Sequence, residues 1–148
     1  MSTAYTPAGP AYATSPFTDT ALLIGRIALV VIYLMSGFQK FTDLAGVAGM
    51  IATKGLPQPM ILATLAAVTE VAGALLIVVG LQTRLVALGL LVFTLVTTYF
   101  FHDFWNQPAG PDQTNNMIHA VKNLSICGAF LMLAGTGAGR YSMDGRAR

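Results

Sequence analysis

Three ionisable side chains lie deep inside long apolar stretches of this 148-residue sequence, and they are its strongest candidates for chemistry. Arg26, Glu70 and Lys122 each occupy a different stretch. A charge at the centre of a bilayer costs at least about 2.5 kcal/mol, so such residues normally face a bundle interior or a wet cavity and mark a functional site. We interpret Glu70 as the catalytic candidate of the set, acting as a proton relay.

Helical spacing gathers further polar side chains around Glu70. Positions 26, 33, 37 and 40 share one face of a helix, and positions 119 and 122 lie one turn apart. The pattern predicts a cavity that opens toward the outer membrane face and has Glu70 and Arg26 at its floor. The candidate ligand-binding residues are Arg26, Lys40, His102, His119 and Lys122.

The same residues also have structural interpretations. Arg26 and Glu70 could form an ion pair that only locks the bundle, because buried pairs can specify packing without chemistry. Lys40 and Lys122 could extend to the membrane interface, where long basic side chains keep their charge in water. His102 and His119 could be interface residues rather than ligands.

The composition indicates a membrane protein. The chain is 55% hydrophobic and 9% charged, with a mean hydropathy of +0.66, whereas soluble domains carry roughly 25% charge. The net charge of +2 and the absence of a basic run give no indication of nucleic-acid binding. Cys127 is the only cysteine, which excludes intrachain disulfides and C-x-x-C redox chemistry, and no metal site is expected.

Hydropathy predicts an all-α fold, a transmembrane four-helix bundle. Each predicted span approaches the roughly 20 residues that cross the hydrocarbon core. The spans are residues 20–41, 59–80, 84–103 and 115–137. Asp19 or Thr20 is expected to cap the first helix. The predicted domains are a flexible polar tail (1–18), the membrane domain (19–138) and a basic cytoplasmic tail (139–148).

Two patterns describe the arrangement of the spans. Residues 73–80 resemble residues 128–135, which fits two repeated helical hairpins. Arg84, Arg140, Arg146 and Arg148 fall on the side of the termini, so the positive-inside rule favours both termini in the cytoplasm. The small-residue face of the second span, around Glu70, could pack inside the bundle or against a neighbouring subunit.

The ordered set of motifs resembles the DoxX family of small four-helix bacterial membrane proteins, over roughly residues 20–137. The motifs are Gly25-Arg26, Gly37-Phe38-Gln39-Lys40-Phe41, Gly55-Leu56-Pro57, Glu70 with Gly73, Gly80-Leu81-Gln82-Thr83-Arg84, His102-Asp103-Phe104-Trp105 and Lys122-Asn123. The resemblance implies a bacterial inner membrane location. Relatives include a membrane subunit of an archaeal thiosulfate:quinone oxidoreductase and proteins linked to oxidative-stress defence or quinone resistance. The family supplies no agreed set of catalytic residues.

Three functions therefore stay open. The first is a quinone-linked subunit or accessory of a membrane oxidoreductase, which receives electrons from a protein partner because no redox centre is evident in the sequence. The second is a non-enzymatic scaffold or assembly subunit of a larger complex, or a homo-oligomer. The third is a b-type haem bundle with His102 and His119 as axial ligands, although haem is the least favoured cofactor and no covalent cofactor is expected.

Overall fold

Four long apolar helices build the chain, as the sequence predicts. The computed structural model describes residues 15–146, and these contain helices and no strand. The long helices are α1 (Pro16–Thr42), α3 (Pro59–Val79), α4 (Thr83–Phe101) and α5 (Pro111–Thr136), and each is long and apolar enough to cross a membrane. The short helices are α2 (Leu44–Thr53) and α6 (Met143–Arg146), with a 3₁₀ turn at Phe104–Asn106. The prediction of an all-α transmembrane four-helix bundle is confirmed.

The two ends of the bundle differ in content. The end that holds the start of α1, the α3–α4 turn and α6 is called the termini end below. The opposite end holds α2 and the 3₁₀ turn and is called the loop end. Because the long helices alternate in direction, side chains of α1 and α4 lean toward the termini end, whereas those of α3 and α5 lean toward the loop end.

Helix α1 begins earlier than the sequence predicts. Ser15 is its N-cap, with Oγ accepting a hydrogen bond from the Thr18 amide at 3.2 Å, and Pro16 occupies the first turn, where its missing N–H costs nothing. The predicted cap at Asp19 or Thr20 is therefore wrong, and Asp19 is instead buried. Residues 16–18 are helical, and residues 1–14 of the predicted tail lie outside the described residues.

The loop end holds an element that hydropathy alone did not reveal. Helix α2 is apolar but too short to cross a bilayer, so hydropathy does not distinguish it from the loop between the first two predicted spans. Asp43 begins it by accepting a hydrogen bond from the Gly46 amide at 2.9 Å. Similarly, α5 begins at Pro111, ahead of the predicted span, because proline suits the first helical position.

Helix packing is uneven around the bundle. Helix α1 packs along α3, α4 packs along α5, and α3 also contacts α4, but α1 and α5 scarcely meet. The small-residue face of α3 packs inside the chain, with Ala63, Ala67 and Ala74 fully buried. At Gly37 the approach of α3 is so close that an added Cβ would lie 2.7 Å from Val71 Cγ2. The repeat of two helical hairpins, inferred from the similarity of residues 73–80 to residues 128–135, stays a prediction.

The segment Gly137–Arg146, called the C-terminal clasp below, folds back onto the termini end. The buried Arg26 guanidinium donates to the carbonyl of Ala138 at 2.5 Å and to the carbonyl of Tyr141. Asp19 Oδ1 accepts from the Arg140 amide at 2.9 Å. The sequence predicts a basic tail from residue 139. In the structure, the backbone groups of the C-terminal clasp are the partners that the buried Arg26 and Asp19 need.

The clasp also caps α4. Gln82, the residue before α4, has φ +51° and no capping side chain of its own. The carboxylate of Asp144 accepts from the amides of Gln82 and Thr83 at 2.9 and 2.8 Å, where the positive end of the helix dipole favours an anion. Gly80 lies beneath the clasp with φ +70°, and a Cβ there would lie 2.3 Å from Ser142 Cβ. Glycine is therefore required at the α3–α4 turn.

Candidate functional site

A cavity of about 500 Å³ occupies the loop-end half of the bundle. Side chains from α1 to α5 all line it, and α2 contributes an apolar roof of Val47, Met50 and Ile51. The lining also includes Ile32, Tyr33, Ser36, Lys40, Ala66, Glu70, Phe93, Thr94, Thr97, Phe101, His102, His119, Lys122, Asn123 and Ile126. The volume falls in the range of sites that bind small organic molecules. The wall combines apolar and aromatic surface with a few convergent polar groups, which is also typical of such sites.

Lys40 and Glu70 form an ion pair in the cavity wall. Lys40 Nζ lies 2.9 and 3.0 Å from the two Glu70 carboxylate oxygens and donates to Ser36 Oγ at 2.5 Å. The side chain of Glu70 is 8% exposed and that of Lys40 is 23% exposed. The pair is thus largely removed from solvent but remains at the edge of the cavity.

The partner of Glu70 differs from the sequence prediction. The interpretation in which Arg26 pairs with Glu70 is wrong, because Glu70 pairs with Lys40. The alternative interpretation of Lys40, extension to the membrane interface, is also excluded by this pairing. A Cβ added at Gly37 would lie 3.0 Å from Glu70 Cβ, which places Glu70 one turn below Lys40 and about 16 Å of helix above Arg26. Because α1 and α3 run in opposite directions, Lys40 and Glu70 lean toward each other, whereas Arg26 leans away.

The floor of the cavity is a buried hydroxyl pair. Tyr33 Oη lies 2.5 Å from Thr94 Oγ1, which also donates to the Leu90 carbonyl at 2.6 Å. The Tyr33 ring packs edge-on against Phe130, with centroids 5.5 Å apart. Since Thr94 donates to the backbone, Tyr33 donates to Thr94, and the floor presents a fixed polar group below an otherwise apolar surface.

Two histidines and a lysine form the polar wall opposite the ion pair. The rings of His102 and His119 stack with centroids 5.1 Å apart and planes 17° apart. Lys122 Nζ lies 2.9 Å from His119 Nδ1. An ammonium group can only donate, so Nδ1 accepts and the neutral His119 ring carries its proton on Nε2. His119 and Lys122 together therefore offer hydrogen-bond donors.

The second histidine connects the cavity to the loop end. His102 Nδ1 lies 3.2 Å from Asn116 Oδ1, and Asn116 Nδ2 donates to Gln107 Oε1 at 3.2 Å. Because the Asn116 oxygen is an acceptor, His102 Nδ1 donates and Nε2 keeps a lone pair. The stacked rings thus present one donor and one acceptor nitrogen, a combination that complements a ligand with carbonyl or hydroxyl oxygens.

The structure brings five of the six predicted site residues to one cavity. They are Lys40, Glu70, His102, His119 and Lys122. Arg26 is the exception: it was predicted at the floor but binds the C-terminal clasp. The sequence did not single out Tyr33, Thr94 and Asn123 as site residues, although Tyr33 shares the helical face of Lys40. Asn123 donates to Thr98 Oγ1 at 2.9 Å, so it also joins α5 to α4.

Lys122 does not pair with Glu70, because its ammonium group lies beside His119 Nδ1. Side chains of α5 lean toward the loop end, so Lys122 meets His119 one turn away. Within residues 15–146, no carboxylate forms a salt bridge with Lys122. The cavity wall therefore holds two cations of different kinds. Lys40 is neutralised by Glu70, whereas Lys122 is hydrogen-bonded to the neutral imidazole of His119.

The donor set bears on two kinds of cofactor. Within residues 15–146, no group of three or more His, Cys, Asp and Glu side chains could hold a metal ion. Ligation of one haem iron by His102 and His119 would require both ring planes to contain the iron, on opposite faces of the macrocycle. The two rings instead lie face to face, with centroids 5.1 Å apart, so both would have to turn and separate.

Comparison with known proteins gives a consistent result. The DoxX family profile matches residues 21–103. "Inner membrane protein YphA" of Escherichia coli (strain K12) is 44% identical over 125 residues, covering 84% of this chain and 89% of that protein. "Inner membrane protein YqjF" of the same organism is 35% identical over 126 residues, covering 85% and 91% respectively. No solved structure gives a significant match.

Proposed function

The chain belongs to the DoxX family of inner membrane proteins, and from that premise we propose that its loop-end cavity binds a membrane quinone in the service of an oxidoreductase. A quinone ring is flat, apolar on its faces and carries two carbonyl oxygens at its edge. The observation that supports the proposal is the cavity of about 500 Å³, which combines aromatic and aliphatic surface with fixed donors.

Each polar wall has a role in this proposal. Lys122 and the Nε2–H of His119 donate to one carbonyl oxygen of the quinone, because both are donors without a competing carboxylate. Glu70, held by Lys40 at 2.9 Å, accepts or supplies one of the protons that move with the electrons when quinone and quinol interconvert. Tyr33 and Thr94 form the floor on which the ring rests.

The protein is embedded in a lipid bilayer, and its orientation is part of the proposal. Arg84, Arg140 and Arg146 lie at the termini end, whereas Lys40 and Lys54 lie at the loop end. Under the positive-inside rule, the excess of arginine supports an orientation with the termini in the cytoplasm and the cavity in the outer half of the membrane. Labelling of a cysteine introduced at position 54 from outside intact cells tests this orientation.

A protein partner completes the proposed role. The sequence contains a single cysteine, and residues 15–146 contain no group of three or more His, Cys, Asp and Glu side chains that could hold a metal ion. We therefore propose that electrons reach the quinone through an oxidoreductase that associates with this chain. The chain then acts as the subunit that holds the quinone. Copurification of a redox enzyme from native membranes supports this association, and a uniform homo-oligomer without one contradicts it.

The binding experiment uses purified protein in lipid nanodiscs and a short-chain ubiquinone. Saturable binding is expected for the wild type, and Lys122→Met is expected to raise Kd about tenfold, since one hydrogen bond from a charged donor contributes at least about 1.4 kcal/mol. Arg84→Met is the matched control, because it removes an exposed cation outside the cavity. Wild-type protein that neither copurifies with quinone nor binds it saturably would overturn the proposal and leave the scaffold alternative.

A further inference from the structure

The seam between α1 and α5 is where the bundle wall is incomplete. These two helices scarcely meet, whereas α1 packs along α3 and α4 packs along α5. The contact of Tyr33 with Phe130 joins α1 to α5 near mid-bundle. The cavity lining includes Ile32 of α1, at the level of this contact, and Ile126 of α5, one turn nearer the loop end than Phe130. Between Tyr33 and Lys40, about 10 Å of helix, no hydrogen bond or ion pair among the described residues joins α1 to α5.

The other sides of the cavity are covered. Val47, Met50 and Ile51 of α2 roof the loop end, and Lys54 Nζ is bonded to Asp103 Oδ1 at 2.9 Å across the edge of this roof. Below the floor, a fully buried core continues toward the C-terminal clasp, with Val30, Ile77 and Phe130 at 0% exposure. Helices α3 and α4 close the remaining side by direct contact.

The surface beside the seam is apolar and faces the bilayer. Ile32 lines the cavity and is still 41% exposed. Exposed side chains in the middle of a membrane-spanning helix contact lipid tails. The cavity thus opens toward the hydrocarbon phase through a gap between α1 and α5, called the lateral window below. Its lower edge is formed by Ile32, Tyr33 and Phe130, and its α5 side is formed by Ile126.

Building on the proposed quinone site, we infer that its ligand is a prenylated quinone that enters through the lateral window and leaves its tail between α1 and α5. The ring reaches the polar wall at Lys122, while the tail stays in apolar surroundings beside Ile32 and Ile126. A ligand without a tail gains nothing from this path. The window therefore selects for quinones dissolved in the membrane over soluble quinones of the same ring.

The first experiment measures association rates in nanodiscs for two probes, a ubiquinone with two prenyl units and the same ring without a tail. Ile32→Trp and Ile126→Trp narrow the window, and Ile24→Trp and Leu124→Trp are matched controls at lipid-exposed positions outside the cavity lining. The window variants are expected to slow association of the prenylated probe at least tenfold, and the controls are expected to leave it unchanged. Equal rates in window variants and controls would overturn the inference.

The second experiment needs no substitution and so remains decisive if a tryptophan variant fails to fold. A ubiquinone with a photoreactive group at the end of its tail is bound to wild-type protein, irradiated, and the labelled peptides are identified by mass spectrometry. Labels on residues 29–36 of α1 and 122–130 of α5 support the lateral window. Labels on α2 or on residues 104–110 overturn it while leaving the quinone site intact, whereas a wild type that binds neither probe overturns the proposed function itself.

Discussion

Both ends of the bundle bury charged side chains, but the partners of those side chains differ. At the termini end, Arg26 and Asp19 bind backbone groups of the C-terminal clasp. At the loop end, Lys40 and Glu70 bind each other beside a cavity. A buried charge that is satisfied by backbone groups fixes the path of the chain, whereas an ion pair in a cavity wall can exchange partners with a ligand. Burial of a charge in a membrane helix therefore does not by itself identify a site.

The largest effect is expected from the termini end. Arg26→Met removes the two hydrogen bonds to the Ala138 and Tyr141 carbonyls, and we expect it to lower the free energy of unfolding by about 3 kcal/mol, because each bond from a charged donor contributes about 1.5 kcal/mol or more. Thermal unfolding followed by circular dichroism measures this loss. Quinone affinity of the folded fraction should stay within about twofold of wild type.

Arg84→Met serves as the control for this prediction, since Arg84 is exposed at the same end and should unfold like the wild type. A variant at Arg26 that folds normally but loses quinone binding would contradict the division of roles between the two ends.

An intermediate effect on stability is expected at the loop end. Glu70→Gln leaves Lys40 without its carboxylate and should cost about 2 kcal/mol, below the roughly 3–5 kcal/mol of a fully buried pair, because the Lys40 side chain is 23% exposed. The double variant Glu70→Gln with Lys40→Met removes both charges and should recover most of this stability. Reduction of the bound quinone to quinol by an added chemical reductant consumes protons as well as electrons, and its rate should fall in both variants, which lack the carboxyl group at position 70. A wild-type reduction rate in the double variant would show that the pair only locks the bundle.

The fold could be predicted because the bilayer fixes the length and polarity of each span. Helical spacing also placed Lys40, His102, His119 and Lys122 on converging faces. The partner of Glu70 could not be predicted from spacing, because it depends on the height at which α1 and α3 pack, which Gly37 sets through its contact with Val71. Side-chain direction along antiparallel helices then decides between Lys40 and Arg26.

The C-terminal clasp could not be predicted because its contacts are far apart in sequence. Asp144 caps an amide of Thr83, 61 residues away, and Arg26 binds a carbonyl of Ala138, 112 residues away. The predicted cap of α1 was Asp19 or Thr20, whereas Ser15 caps the helix and Asp19 binds the distant Arg140 amide. A charged residue that breaks an apolar stretch indicates that a partner exists, but the sequence does not identify that partner.

The smallest effect on stability is expected from the ion pair at the edge of the roof. Lys54→Met should leave thermal unfolding unchanged, because exposed ion pairs contribute little to stability. The pair nevertheless joins the end of α2 to the end of α4, so its loss should loosen the roof and increase amide exchange in α2.

A quinone ring without a tail should then associate faster from water with Lys54→Met, while a prenylated quinone that uses the lateral window should associate at the wild-type rate. Lys54→Arg keeps the charge and is the control. If Lys54→Met destabilised the protein as much as Arg26→Met, the loop end would depend on its exposed ion pair as strongly as the termini end depends on Arg26. The contrast between the two ends would then be lost.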